Sequence, residues 1–450
     1  MSTTLFWFRR DLRLGDQPAL ASAAAEGPVV GAFVVDRVLW GSAGANRQAF
    51  LVACLDALDA DMGRNLVIRS GDPAAELVAL ARSAGAERVV ASTDFGPYGR
   101  RRDHAVARAL DEDGRRLELI DSPYAVSPTT ILTGSGTPYK VFTPFFRAWK
   151  AHGWDEPMGR VEVDWALPVD RRPLPEAPPT SADLPRAGEA AAAELAEAFL
   201  ADGVEHYAER RDLPAVEGTS RLSPHLKWGT IHPRQILARL GSSAGEETFR
   251  SELAWREFYA DVLTDRPDSA RAAYRPEMAG MELDDGPEAD ERFAAWAEGR
   301  TGYPIVDAGM RQLVAEGWMH NRVRMIVASF LVKDLHIDWT RGARFFMEHL
   351  VDGDLASNNH GWQWVAGTGT DASPYFRIFN PVTQSKRFDP TGEYIRRWVP
   401  EIGLLPDRSI HAPWTERNGA PAAYPAPLVD HAEERDEALR RYDRLKTDRA

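Results

Sequence analysis

The feature that most limits what this chain can become is a change of periodicity near residue 125. Before it, short apolar runs alternate with amphipathic segments. Thr4-Leu5-Phe6-Trp7-Phe8 reads as a strand, Pro18 to Ala25 as a helix, and Pro28 to Val35 as a second strand. That second run is continuously apolar, as strands of parallel sheets buried on both faces are. Gln48 to Met62 places Phe50, Leu51, Cys54, Leu55 and Leu58 on one helical face. Further strands are expected at Asn65 to Arg69, Arg88 to Ala91 and Arg116 to Ile120, with helices at Pro73 to Ser83 and Arg101 to Asp111. Such alternation implies a parallel, Rossmann-like α/β sheet with helices on both faces. From about 188 onward only helical periods appear, at Glu189 to Gly203, Pro233 to Leu240, Thr248 to Leu263, Ile305 to Glu316, Asn321 to Leu335 and Gly342 to Leu350. The expected architecture is an α/β N-terminal domain followed by a larger all-α domain. No G-x-G-x-x-G follows the first strand, and Gly134-Ser135-Gly136 comes too late, so a nicotinamide-dinucleotide site is rejected.

Between these regions lies a connection rich in proline, including Pro168, Pro173, Pro175, Pro178, Pro179 and Pro185. The expected divisions are 1–125, a linker over 126–187, and 188–450. Connections of such length wrap domains or carry function, and the aromatic segment Tyr139 to Lys150 is expected to be pinned against a domain surface. A net charge of −13 argues against a protein that coats nucleic acid by bulk electrostatics, while leaving room for a local basic cleft. The acidic runs Glu282 to Glu291 and Glu433 to Glu437 read as solvated surface. The single cysteine, Cys54, excludes an internal disulfide. No apolar run approaches roughly 18 residues, and no basic, cleavable leader precedes the first strand. A cytoplasmic protein without a membrane partner is expected.

The stretch from Thr301 to Arg397 carries the chemistry. It contains Gly302-Tyr303-Pro304-Ile305-Val306-Asp307-Ala308 and Gly317-Trp318-Met319-His320-Asn321-Arg322-Val323-Arg324-Met325. Asp352-Gly353-Asp354-Leu355-Ala356-Ser357-Asn358-Asn359-His360-Gly361-Trp362-Gln363-Trp364 and Tyr375-Phe376-Arg377-Ile378-Phe379-Asn380-Pro381 follow. Aromatic residues interleave with carboxylates and amides in segments that look buried. Polar groups buried without partners cost several kcal/mol, so these must bind one another or a large polar ligand. A ligand with an aromatic body and a charged tail suits them.

These motifs, with Phe6-Trp7-Phe8-Arg9-Arg10-Asp11-Leu12-Arg13, Glu217-Gly218-Thr219-Ser220-Arg221-Leu222-Ser223 and Trp255-Arg256-Glu257-Phe258-Tyr259, closely resemble the photolyase/cryptochrome family over almost the whole chain. Within it the match is to bacterial class I cyclobutane pyrimidine dimer photolyases. The resemblance implies reduced FAD, folded into a U inside the helical domain. Tyr207, Thr219, Ser220, Leu222 and Ser223 are then expected around its pyrophosphate, as anion ligands near a helix start, although Ser220-x-x-Ser223 alone could be a helix cap. Arg256, Asn321, Arg324, Asp352, Asp354 and Asn358 complete the expected cofactor set, with Arg324 pairing an acid such as Asp352 and Asn358 opposite the flavin N5. Asn321, Arg324 and Met325 recur at i, i+3 and i+4, on one helix face.

For the substrate, the resemblance implies a dimer extruded from damaged DNA and stacked on Trp255 and Trp364. Glu252 is expected to hydrogen-bond the thymine edge and stabilise the radical anion. Asn321 and Met325 also line this pocket, and stand where a six-four enzyme has paired histidines; Arg211, Arg322, Arg377 and Lys386 are candidate phosphate contacts. Trp362 and Trp339 match the inner and middle members of the family's electron-carrying tryptophan chain, while the outer place falls at Gly286. The segment Asp94 to Asp103 resembles the antenna site that holds 8-hydroxy-5-deazaflavin, rather than a folate, with Asp36, Arg47, Asp94 and Arg102 as expected contacts. The expected activity is that of a monomeric light-driven lyase in which excited reduced FAD lends an electron to the dimer. The alternative is a cryptochrome-like photoreceptor.

Overall fold

A computed structural model describes residues 3–166, 172–417 and 419–447; Pro168 lies outside them. Five strands, β1 (Thr4–Phe8), β2 (Val29–Asp36), β3 (Val67–Gly71), β4 (Arg88–Ala91) and β5 (Arg116–Leu119), form a parallel sheet in the order β3-β2-β1-β4-β5. All eight residues of β2 are buried. Connections leave β1 and β4 toward opposite edges of the sheet, so a crevice opens beyond their C-terminal ends, where such sheets ordinarily bind ligands.

The helices are α1 (Pro18–Ala24), α2 (Arg37–Ser42), α3 (Ala45–Asp61), α4 (Pro73–Ala84), α5 (Pro97–Glu112), α6 (Phe142–His152), α7 (Glu189–Ala198), α8 (Tyr207–Arg210), α9 (Ser223–Trp228), α10 (Pro233–Leu237) and α11 (Ala244–Asp265). They continue as α12 (Gly286–Ala297), α13 (Pro304–Glu316), α14 (Asn321–Lys333), α15 (Trp339–His349), α16 (Leu355–Ala366), α17 (Pro381–Phe388), α18 (Glu393–Trp398), α19 (Asp407–Ile410) and α20 (His431–Thr447).

Two compact units result. The first comprises Met1–Thr180, Leu184–Glu205 and Ser220–Pro267; the second comprises Ser181–Asp183, His206–Thr219 and Asp268–Ala450. Hydrogen bonding explains why α11 belongs with the sheet. Buried Glu257 accepts from Ala125 N, Val126 N and Trp149 Nε1 at 2.5, 3.1 and 2.6 Å, and Asp261 accepts from Thr129 N at 2.5 Å. The connection is not structureless: α6 lies within it and buries Phe142, Phe145 and Trp149. Helix α5 starts four residues earlier than the periodicity indicates, because Pro97 at its first turn has φ preset for a helix.

In the second unit the core gathers Trp296, Met310, Leu313, Val327, Phe330, Leu331, Phe346 and Trp362 from α12 to α16. Asp354 caps α16 at its start, and Gly367 closes it in the left-handed conformation. The acidic runs are more than solvated surface. Arg441 and Arg444 of α20 bridge to Asp284 and Glu282, and Glu437 pairs with Arg441 on the same helix.

Candidate functional site

In the second unit, His320 caps α14 by accepting from Arg322 N at 3.2 Å. One turn of helix then brings the Asn321 amide to within 4.0 Å of the Met325 sulfur. Arg324 Nε donates to the Met319 carbonyl at 2.8 Å, and its Nη2 donates to Asp352 Oδ2 at 2.9 Å. The expected pair therefore forms. Asp352 Oδ1 is buried and has no hydrogen-bond partner. An acceptor in that state is costly until a donor reaches it, which fits the N–H groups of a bound flavin ring. Asp354 accepts from Ala356 N and Ser357 N at 3.1 and 3.2 Å, so its carboxylate holds the start of α16. Asn358, one turn on, donates through Nδ2 to the Ala343 carbonyl at 3.0 Å and to Asn359 Oδ1 at 2.8 Å.

Trp362 is buried against α15, where a Cβ at Gly342 would fall 2.2 Å from its ring. Trp339, buried, opens α15 behind the Asp338 cap. Sequence reasoning did not single out Trp296 for a role, yet it stands edge-on to Trp362 at 6.1 Å between centroids, fully buried. Gly286 is exposed at the start of α12.

The candidate phosphate contacts differ in character. Arg322 is held by both oxygens of Asp212, at 3.2 and 2.9 Å, and lies over the Phe388 ring at 4.4 Å. Arg211 sits 5.5 Å from the Tyr207 ring, which is buried at the start of α8. Arg377 and Lys386 are exposed. Trp364 is half-buried, and Phe376 beside Arg377 is 63% exposed. Buried Lys333, missed by sequence reasoning, donates to the carbonyls of Tyr375 and Arg377 at 3.2 and 3.0 Å and so anchors that loop. Burial pushes its ammonium down to about 7.

Thr219 ends the preceding segment of this unit, half-buried. In the first unit, Ser220 Oγ accepts from Leu222 N at 3.3 Å, Leu222 is buried and Ser223 is exposed at the first residue of α9. Along α11, Glu252 and Trp255 are half-buried one turn apart. One face of Trp255 is stacked on Phe142 of α6 at 3.7 Å, 9° from parallel, which fixes the ring. Arg256 spends its guanidinium on the carbonyls of Pro123 and Leu226 at 3.0 and 3.1 Å and lies over Tyr124. Glu257 beside it is pushed up to about 7 by burial, against the pull of its three N–H donors.

Of the antenna candidates, Asp36 ends β2 and Asp94 follows β4, while Arg102 lies on α5 and Arg47 on α3. Asp36 accepts from the Tyr98 hydroxyl at 2.7 Å and caps α2. Arg102 pairs with Asp94 at 3.1 Å and with Asp103 at 2.9 Å, 4.9 Å from the Trp7 ring. Burial alone would raise the Asp94 carboxyl, but Arg102, with Arg9 and Arg10 behind it, holds it below the usual range. A Cβ at Gly99 would fall 2.2 Å from the Asp94 carboxyl carbon, so any larger residue there displaces that carboxylate. Arg47 is buried and donates to the Ser42 carbonyl at 3.3 Å.

Residues 4–162 match the family model described as DNA photolyase, and residues 249–444 the FAD binding domain of DNA photolyase. The deoxyribodipyrimidine photo-lyase of Halobacterium salinarum is 42% identical over 99% of both chains. A bacterial class III photolyase from Agrobacterium tumefaciens superposes with a TM-score of 0.93 at 37% identity, covering 99% of this chain and 98% of that one. An archaeal photolyase from Sulfolobus tokodaii, solved with two FAD molecules, gives 0.87 at 30% identity over 98% of this chain and all of that one. A parallel sheet followed by a helical FAD-binding region is the architecture of the photolyase/cryptochrome class. Within that class, the chain belongs to the DNA photolyase family.

Proposed function

We infer that the chain is a deoxyribodipyrimidine photo-lyase that splits cyclobutane pyrimidine dimers in DNA, acting as a cytoplasmic monomer. The observation that carries this reading is the polar array on α14 and α16: an Arg324–Asp352 pair with one buried oxygen still seeking a donor, and the Asn358 amide held by its NH2 end.

When bound, reduced FAD supplies under light the one electron that repair requires and takes it back afterwards. Asp352 Oδ1 would accept a ring N–H, with Arg324 balancing its charge. Asn358, its NH2 already used by Ala343 and Asn359, would offer its oxygen to the flavin. Tyr207, Thr219, Ser220, Leu222 and Ser223 surround the pyrophosphate, and Asp354 and Arg256 keep α16 and α9 in place for it. Trp255 and Trp364 stack on the extruded bases, at about 1–3 kcal/mol per base, and Trp255 does so with the ring already fixed by Phe142. Glu252 hydrogen-bonds the dimer's carbonyl edge. Arg211, Arg322, Arg377 and Lys386 meet phosphates, Arg322 from a position set by Asp212. Trp362 and Trp339 would offer an electron a route through the protein toward FAD. The crevice residues Asp36, Arg47, Asp94 and Arg102 hold an 8-hydroxy-5-deazaflavin antenna; the second FAD of the archaeal relative is the competing occupant.

The test is repair of a thymine dimer in an oligonucleotide by the purified protein carrying reduced FAD, under blue light and in the dark. The absorption spectrum of the same preparation separates the antenna assignments, because bound deazaflavin adds a band that a second FAD does not.

A further inference from the structure

Asn358 has a neighbour whose geometry reaches further than its position in the sequence suggests. Asn359, buried, donates through Nδ2 to the Ala270 carbonyl at 2.5 Å. That carbonyl only accepts, so the NH2 end of Asn359 must face it and the oxygen must face the other way. The oxygen accepts from Asn358 Nδ2 at 2.8 Å, and the same Nδ2 donates to the Ala343 carbonyl at 3.0 Å. The stretch that carries Ala270 is itself tied down: Gln363 Nε2 donates to the Ser269 carbonyl at 2.7 Å, and Gln363 Oε1 accepts from Tyr274 N at 2.8 Å. The relay Ala270–Asn359–Asn358–Ala343 therefore has one sense. Turning the Asn358 amide alone sets its oxygen against two acceptors, and turning both amides sets the Asn359 oxygen against Ala270.

We propose that Asn359 is a positioning residue that locks the Asn358 amide so that its oxygen, never its NH2, meets the flavin. This rests on the reading of Asn358 given under Proposed function. An amide presenting only an acceptor favours a flavin bearing N–H at that position over an oxidised flavin, whose nitrogen there is an acceptor too. The relay thus raises the tendency of the bound flavin to stay reduced, from a residue that need not touch it.

The experiment is a spectroelectrochemical titration of the FAD-loaded full chain as wild type, Asn358→Ala, Asn359→Leu and the double variant. Both single variants are expected to lower the midpoint potential, and the double variant to match Asn358→Ala, because Asn359 acts only through its neighbour. Wild-type potential in Asn359→Leu beside a lowered one in Asn358→Ala would overturn the relay alone, as would shifts that simply add. No shift in Asn358→Ala would overturn the reading of Asn358 and the relay with it. Should Asn359→Leu lose FAD, Asn359→Ala enters the same cycle and decides on the same criteria.

Discussion

At Asn358, two carbonyl-type oxygens converge on one NH2 group. Replacing Asn358 by Asp turns both contacts into oxygen–oxygen approaches. At about 1–3 kcal/mol for each buried group left unpaired, unfolding stability of the holoprotein is expected to fall by about 2–6 kcal/mol in a denaturant titration; an unchanged midpoint contradicts the contact. Lys333 supports a pH prediction. Its folded value of about 7 lies below the ordinary 10.5, so below pH 7 both states are charged and the burial cost is carried in full. Between pH 7 and 10.5 the unfolded chain binds the extra proton and stability rises. Relative to Lys333→Met, the wild type should gain about 1.4 kcal/mol per pH unit in that window, and parallel pH curves for the two proteins would refute it. The neutral amine keeps two N–H groups for its two carbonyls, so the anchored loop is expected to survive deprotonation. Some of this was legible in the sequence. The Arg324–Asp352 pair was expected from the family resemblance, and helical spacing added only that Asn321, Arg324 and Met325 share a face. The Arg322–Asp212 pair does not, because its partner lies 110 residues earlier and no local period points to it.

Among the elements, β1 and β2 were the most readable, because apolar runs buried along their whole length have few polar interruptions to blur them. Helix α6 was seen only as an aromatic segment to be pinned, since Pro144 and four aromatic rings in its first eight residues weaken the helical signal. Its packing matters: Phe142 supplies one face of the Trp255 stack at 3.7 Å. With about 0.5–1.5 kcal/mol in an aromatic pair, Phe142→Leu should weaken binding of dimer-containing oligonucleotide by roughly 2–10-fold and leave FAD content intact. Unchanged affinity would mean that Trp255 is held without it. On α11, Glu257→Gln sets an NH2 among three N–H donors, and a stability loss of about 1–3 kcal/mol is expected from the thermal midpoint. A midpoint equal to wild type would contradict that wiring.

For the whole molecule, a net charge of −13 has to coexist with a DNA substrate. Local placement reconciles the two, since acids of the run before α12 and of α20 are bridged to arginines of α20 while Arg377 and Lys386 are exposed. Arg377→Ala is therefore expected to weaken binding and to reduce the slope of log affinity against log salt by about one; an unchanged slope removes Arg377 from the interface. No described helix is long and apolar enough to cross a membrane. The most direct measurement is the yield of restored thymines when the reduced-FAD protein and a dimer-containing oligonucleotide are exposed to blue light. Restoration in the light and none in the dark is the expected result. Protein that holds reduced FAD and binds the oligonucleotide, yet leaves the dimer intact under light, would contradict the assignment.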